Sequence, residues 1–152
     1  MEPLINIDEI QVQQDVIAGV DLFEIEWFET QKHLFKRLTK GGVKLQVEKQ
    51  QHPVWQQGDA LYSKGKLIAQ VIIKPTLAIQ FTSKQSDLIV DFTYYIGNRH
   101  LPIFIDVEDH AFLVPYDGPL YEQLTAKFTL DLTLVKKQLL FRMLLHEKHA
   151  QL

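Results

Sequence analysis

The chain contains no cysteine. That absence removes a disulfide framework, a thiolate zinc site and a redox pair, so any transition metal must be held by His, Asp or Glu, with imidazole the ligand to look for. An excess of positive charge is also missing: 16 Lys and Arg against 19 Asp and Glu give a formal net charge of -3. No basic cluster is interleaved with aromatics, so nucleic acid is not an expected partner. Long apolar runs are lacking too, and Met1-Glu2-Pro3-Leu4-Ile5-Asn6 has no basic region leading into an apolar core. The expectation is a cytoplasmic protein with no membrane partner. What remains is 152 residues, 46% hydrophobic and 23% charged, enough for one sizeable domain or two small ones that fold without staples.

The first half reads as short strands divided by turns. Phe23, Ile25 and Trp27 alternate with Glu24 and Glu26 within Val20 to Trp27, the period-two pattern of a half-buried strand. Lys40-Gly41-Gly42 separates Leu34 to Thr39 from Val43 to Val47 as in a hairpin. Leu61-Tyr62 and Leu67 to Ile73 flank a second connection, Ser63-Lys64-Gly65-Lys66, whose Gly65 can take positive φ. Proline cannot extend a ladder, so Pro75 marks the expected boundary.

Beyond it strands alternate with helices. Thr76 to Phe81 reads as a strand. Ser83 or Ser86 can N-cap a helix carrying Ile89, Phe92 and Ile96, which Gly97 or Asn98 ends. Pro102 to Val107 and Ala111 to Val114 form a hairpin around Glu108-Asp109-His110. Asp117-Gly118-Pro119 opens a second helix with Leu120, Leu124 and Phe128 on one face, and Thr129 to Leu134 supplies the last strand. The expected fold is α+β: an N-terminal all-β domain over residues 1–75, a ferredoxin-like βαββαβ domain over 76–135, and a tail over 136–152 that is either an amphipathic helix or an ordered extension.

Six histidines are the candidate metal ligands. His33 and His52 stand alone in polar surroundings and read as solvated imidazoles, and His110 beside Asp109 is explained by turn polarity. His146 and His149 share one face if helical and could chelate together; the bland alternative is a soluble tail. His100 differs because the helix before it is apolar on more than one stripe (Leu88, Ile89, Val90, Phe92, Tyr94, Tyr95, Ile96), which suits a subunit interface. Capping explains Gly97, with Gly or Asn in the left-handed turn and the cations complementing the helix dipole. A twofold axis there would bring two copies of His100 together.

The run Tyr94-Tyr95-Ile96-Gly97-Asn98-Arg99-His100-Leu101-Pro102, followed by Leu113-Val114-Pro115-Tyr116-Asp117, resembles the GNRHLP and LVPYD segments of UreE-type urease accessory proteins. Weaker agreement runs through Arg37-Leu38-Thr39-Lys40-Gly41-Gly42 and Gly58-Asp59-Ala60-Leu61-Tyr62, so the likeness covers about Val20 to Leu134. It implies an N-terminal module resembling a chaperone peptide-binding domain, then a ferredoxin-like metal-binding domain. It also implies a homodimer whose interface histidine, matching His100, binds Ni(II) with its symmetry mate. The implied partners are the urease accessory GTPase, the other maturation proteins and apo-urease. Many members end in a long histidine-rich tail, whereas here only His146 and His149 are available, so bulk nickel storage is not expected. The extra histidines that some members carry near the segment matching Val114 to Gly118 are absent.

The expected metal donors are His100, His146 and His149. Two His100 rings alone would leave most positions around Ni(II) open; adding His146 and His149 from one or both tails gives four to six nitrogen donors, which suit Ni(II) but equally Zn(II) or Cu(II), and copper outcompetes nickel at an all-nitrogen site. Three functions follow: a non-enzymatic nickel carrier; a protein-binding module in which metal is secondary; and a hydrolase using Asp109, His110, Asp117 and a metal-bound water, weakest because a hairpin tip offers no evident pocket.

Overall fold

The computed structural model describes residues 3–49 and 54–145. The chain divides into two compact units, Met1–Lys74 and Pro75–Leu152.

The first unit is all β. Its strands are β1 (Ile5–Asn6), β2 (Glu9–Gln11), β3 (Leu22–Ile25), β4 (Leu34–Leu38), β5 (Lys44–Glu48), β6 (Ala60–Ser63) and β7 (Lys66–Ile73). They form two sheets, ordered β1-β5-β4 and β2-β6-β7-β3. Phe23 and Ile25 point inward as their alternation predicts, and Phe35 meets Phe23 edge-on at 5.5 Å and Trp55 at 6.0 Å. Trp27 departs from the expected strand. Glu26 and Glu29 form a reciprocal capping box, and Trp27–Glu29 makes a 3₁₀ turn held by the Arg37–Glu29 ion pair at 2.6 Å. The β6–β7 connection is tighter than expected. Only Lys64 and Gly65 lie between the strands, both at positive φ (52° and 78°), the mirror-image turn that matches strand twist.

The second unit is ferredoxin-like: β8 (Thr76–Phe81), α1 (Ser86–Asn98), β9 (Phe104–Asp106), β10 (Ala111–Pro115), α2 (Gly118–Lys127) and β11 (Leu132–Lys137). Its sheet is ordered β11-β8-β10-β9, antiparallel throughout. Ile79 and Phe81 from β8, Phe92 and Ile96 from α1, Val114 from β10, and Leu120 and Leu124 from α2 close one core with Ile103 and Phe128. Phe81 and Phe92 stack at 4.2 Å, and Phe128 packs edge-on against both.

Several boundaries differ from the sequence reading: the strand expected over Pro102 to Val107 is confined to Phe104–Asp106, and β11 runs on to Lys137, into the stretch read as tail. Helix α1 begins at Ser86, with Gln85 in the cap position and no side-chain cap, while the Ser83 hydroxyl accepts from the Gln85 amide at 3.1 Å. Strand β11 begins at Leu132 rather than Thr129. Buried Phe128 ends α2, the Thr129 hydroxyl donates back to the Thr125 carbonyl at 3.0 Å, and the Asp131 amide closes onto Phe128 at 3.1 Å, so residues 128–131 are spent on a turn. Between β11 and Leu144 the described chain is an ordered extension and not an α-helix. Leu139 is buried, Phe141–Met143 forms a 3₁₀ turn, Leu144 bridges to Phe104, and the Leu145 amide donates to the Ile103 carbonyl at 2.9 Å.

Candidate metal centre

Helix α1 ends in a way its sequence disguises. The left-handed residue is not Gly97 or Asn98, which are helical, but His100 itself, at φ +58°. The Leu101 amide donates to the Ile96 carbonyl at 3.3 Å and the His100 amide to Gly97 at 3.0 Å, the bond pair of a Schellman cap in which His100 holds the position usually given to glycine. Leu101 packs against the cluster containing Ile96, completing the apolar contact of that motif. A side chain in this conformation costs about 1 kcal/mol relative to glycine. His100 is exposed, and no described residue hydrogen-bonds its ring, so both imidazole nitrogens are open to a ligand.

The helix leading there has the second apolar face anticipated from its composition. Phe92 and Ile96 enter the core, while Val90 (62% exposed) and Tyr94 (73% exposed) share with Gly97 a stripe at helical spacing facing outward. A Cβ built on Gly97 would meet nothing within 4 Å, so the chain's own packing does not require glycine there.

Tyr95 lies beside this stripe and organises a polar group. Its hydroxyl donates to Gln123 Oε1 at 3.0 Å and accepts from the Arg99 guanidinium, which also stacks over the Tyr95 ring at 4.1 Å. The Lys127 ammonium lies 5.0 Å from the same ring centre. Sequence reasoning passed over this clamp, although the four-residue spacing of Tyr95 and Arg99 on a helix was its signal.

The remaining candidates are dispersed. The amide and carbonyl of His33 and Lys49 are linked, with the Lys49 amide donating to the His33 carbonyl at 2.9 Å, and the His33 Nδ1 lies 3.5 Å from the Lys49 carbonyl; this histidine belongs to the strand pairing. His52, His146 and His149 lie outside the described residues. Among the described residues no three His, Asp or Glu side chains are gathered to hold a metal. Asp117 is engaged as the N-cap of α2, its carboxylate accepting from the Leu120 amide at 3.0 Å.

The hairpin tip does border a groove, of about 380 Å³, lined by Asp106, Glu108, Asp109, Lys137 and Arg142 among others. Two of its carboxylates are already matched: the Lys137 ammonium donates to Asp106 at 2.5 Å and also to Asp109. Burial pushes the Asp106 carboxyl up, but the Lys137 ammonium and the Asp109 and Glu108 amides outweigh it and hold the group below its ordinary value. The hydrogen bonds from Lys137 to Asp106 and Asp109 raise the lysine above its own. An ammonium seated between the two carboxylates leaves little there for a catalytic metal.

Comparison with known proteins decides the family. No family model matches the chain. Over 121 residues it is 30% identical to the urease accessory protein UreE of Acetivibrio thermocellus, covering 80% of this chain and 76% of that relative. It is 32% identical to the UreE of Flavobacterium johnsoniae over 108 residues (70% and 64% of the two chains) and 29% identical to that of Helicobacter pylori strain Shi470 over 103 residues (66% and 61%). The chain belongs to the UreE family of urease accessory proteins. Membership makes it an accessory protein and not an enzyme, which removes the hydrolase reading of Asp109, His110 and Asp117. The Flavobacterium and Helicobacter UreE proteins are matched over less than two thirds of their length. No helix among the described residues is long and apolar enough to cross a membrane.

Proposed function

We propose that this UreE chain is a cytoplasmic nickel metallochaperone that delivers Ni(II) for assembly of the urease active site. It would work as a homodimer with the urease accessory GTPase, the other maturation proteins and apo-urease. Residues 1–75 serve partner or peptide binding, 76–135 metal binding and dimerisation, and 136–152 a tail supplying His146 and His149. The observation that carries this reading is His100, an exposed imidazole without a described partner, held in a backbone conformation that disfavours any side chain.

The donors fit such a cargo only in combination. One imidazole per chain is a weak site, and pairing two chains across the Val90–Tyr94–Gly97 stripe would double it. Gly97 suits that pairing because a bare backbone allows close approach. Leu145, bonded to Ile103, anchors the tail beside a residue that lies three along the chain from His100, Ile103 and His100 being at most about 11 Å apart. The tail that follows this anchor is proposed to add its histidines as further donors. Zn(II) and Cu(II) suit the same nitrogens, so delivery of nickel rests on availability and partners. Exposed Phe28, Leu34 and Leu38 on the first unit favour a second role in docking an accessory partner.

Ni(II) calorimetry and dialysis, with sedimentation, test the reading. The parent chain is expected to be a dimer binding one tight ion per two chains. His100→Gly should lose that ion while remaining dimeric and at least as stable, because glycine suits the left-handed cap. A chain ending at Leu145 should bind more weakly without losing the site, and acidification should weaken binding because protons compete for imidazole. A folded, dimeric His100→Gly variant that keeps the tight site overturns the assignment.

A further inference from the structure

The residue immediately before the proposed ligand carries a positive charge, and the structure shows where that charge is kept. Consecutive Cα atoms are about 3.8 Å apart, so an extended Arg99 could bring its guanidinium alongside the His100 ring. It turns back along α1 instead. The guanidinium stacks on the Tyr95 ring at 4.1 Å and donates to the Tyr95 hydroxyl, which is itself held by Gln123 of α2 at 3.0 Å. This places the cation toward the preceding helical turn, about 5.4 Å back along the axis. It does so although the Lys127 ammonium already lies 5.0 Å from the same ring, a like charge that makes the position less favourable. No carboxylate among the described residues forms an ion pair with Arg99. Its charge is therefore displaced from His100 but not neutralised.

We infer that Arg99 sets the affinity of the His100 site downward by charge repulsion, and that the Tyr95–Gln123 clamp fixes how strongly it does so. The inference rests on His100 being a metal ligand. A divalent ion at His100 feels the neighbouring guanidinium at a range where solvent screens only part of the interaction, and in a pair of chains it would feel two. The result is a site that holds a cation less tightly than its imidazoles alone would, which suits a protein that must release its cargo. The backbone of the cap does not depend on the clamp, because the Ile96 and Gly97 carbonyls and the Leu101 packing already fix it. Arg99 thus acts on the metal through its charge and not by shaping the ligand.

Ni(II) titrations of the full-length protein at about 0.05 M and 0.5 M salt separate these roles. Arg99→Gln, which keeps hydrogen-bonding capacity without charge, should bind Ni(II) about three- to tenfold more tightly at low salt, with the gap narrowing at high salt. Arg99→Lys should not tighten it. Tyr95→Phe keeps the ring but frees the guanidinium. It should weaken binding about two- to threefold when Arg99 is present and change nothing in the Arg99→Gln background. It also provides an independent measurement if Arg99→Gln loses the fold. Tight binding that survives His100→Gly overturns the ligand reading, and this inference with it. A His100-dependent site whose affinity is unchanged or lower in folded Arg99→Gln overturns this inference alone.

Discussion

The described interior of the first unit includes Thr30, Thr39, Lys49, Asp59 and Gln70, all nearly inaccessible, whereas the buried residues described in the second unit are apolar. The difference follows from how each satisfies its backbone. In the first unit, long connections turn inward and need side chains to close them. The Gln70 carboxamide donates to the carbonyls of Asp15 (3.1 Å) and Gly58 (3.0 Å) and accepts from the Ile17 amide (2.7 Å). Asp21 accepts from the Leu22 and Gly41 amides, both at 2.8 Å, and from the Thr39 hydroxyl. Gly58 can have no substitute there, since at φ +91° an added Cβ would lie 2.1 Å from the Gln13 carbonyl oxygen. The second unit meets the same demand with two helices and a four-stranded antiparallel sheet, so its core can be built on phenylalanine and other apolar residues. An apolar scaffold with a polar exterior is the better platform for a ligand such as His100, because changes at the surface leave the core untouched.

The contrast can be broken by experiment because both tryptophans, Trp27 and Trp55, lie in the first unit while α1 and α2, the α-helices among the described residues, lie in the second. Phe92→Ala removes the ring stacked on Phe81 and should cost about 4 kcal/mol. This should appear as a lowered midpoint in the helical circular dichroism signal, with tryptophan fluorescence little changed. Gln70→Leu strands two carbonyls and an amide in the first unit and should cost about 3 kcal/mol, read this time in the fluorescence transition. If each substitution moves both signals equally, the units unfold together and the comparison fails.

The smallest effect concerns Lys137. Asp106 has a lowered value in the fold, so its contribution is present above the ordinary carboxylate range and is lost as pH falls through that lowered value. Lys137 has a raised value, so its contribution is complete below the ordinary lysine range and is lost only as pH rises through the raised one. Lys137→Gln should therefore lower the stability of the second unit by about 1 kcal/mol near neutrality. The difference from the parent should vanish in acid, once Asp106 is protonated. A deficit that persists unchanged into strong acid would assign Lys137 a packing role instead.

Much of this architecture was legible in the sequence because its local signals agreed with the tertiary outcome. Phe23 and Ile25 alternate, Thr76 to Phe81 form the strand their composition suggests, and Asp117 caps the helix it precedes. Failures occurred where a tertiary contact overruled a local pattern. Trp27 continues a period-two run, yet Glu29 is drawn to Arg37 and bends the chain. Glu29 keeps its charge because the Arg37 guanidinium holds its carboxyl below the ordinary value despite burial. Thr129-Leu130 looks like strand, but burial of Phe128 consumes those residues in a turn. At the candidate site His100 stood out in the sequence as a candidate, but its conformation was not legible there. Gly97 and Asn98 are the residues any capping rule selects, and Leu101 seated against Ile96 sets the left-handed position two residues further on. Lys49 was equally hidden. It is 1% exposed, donates to the Thr30 carbonyl at 3.2 Å, and is lowered by burial against the opposing attraction of Asp59, in a stretch whose polarity reads as surface.

Gly97 has one more implication. A glycine inside an exposed helix costs about 1 kcal/mol relative to alanine, and nothing in its own chain requires that it be small. Under the pairing proposed here, that deficit in the lone chain is recovered only by contact with a second copy. Folding and association are then linked by mass action, and thermal stability becomes a function of protein concentration. Dilution would then separate the two copies of His100 as well as lower the stability, so a dissociated carrier would also bind its metal less well.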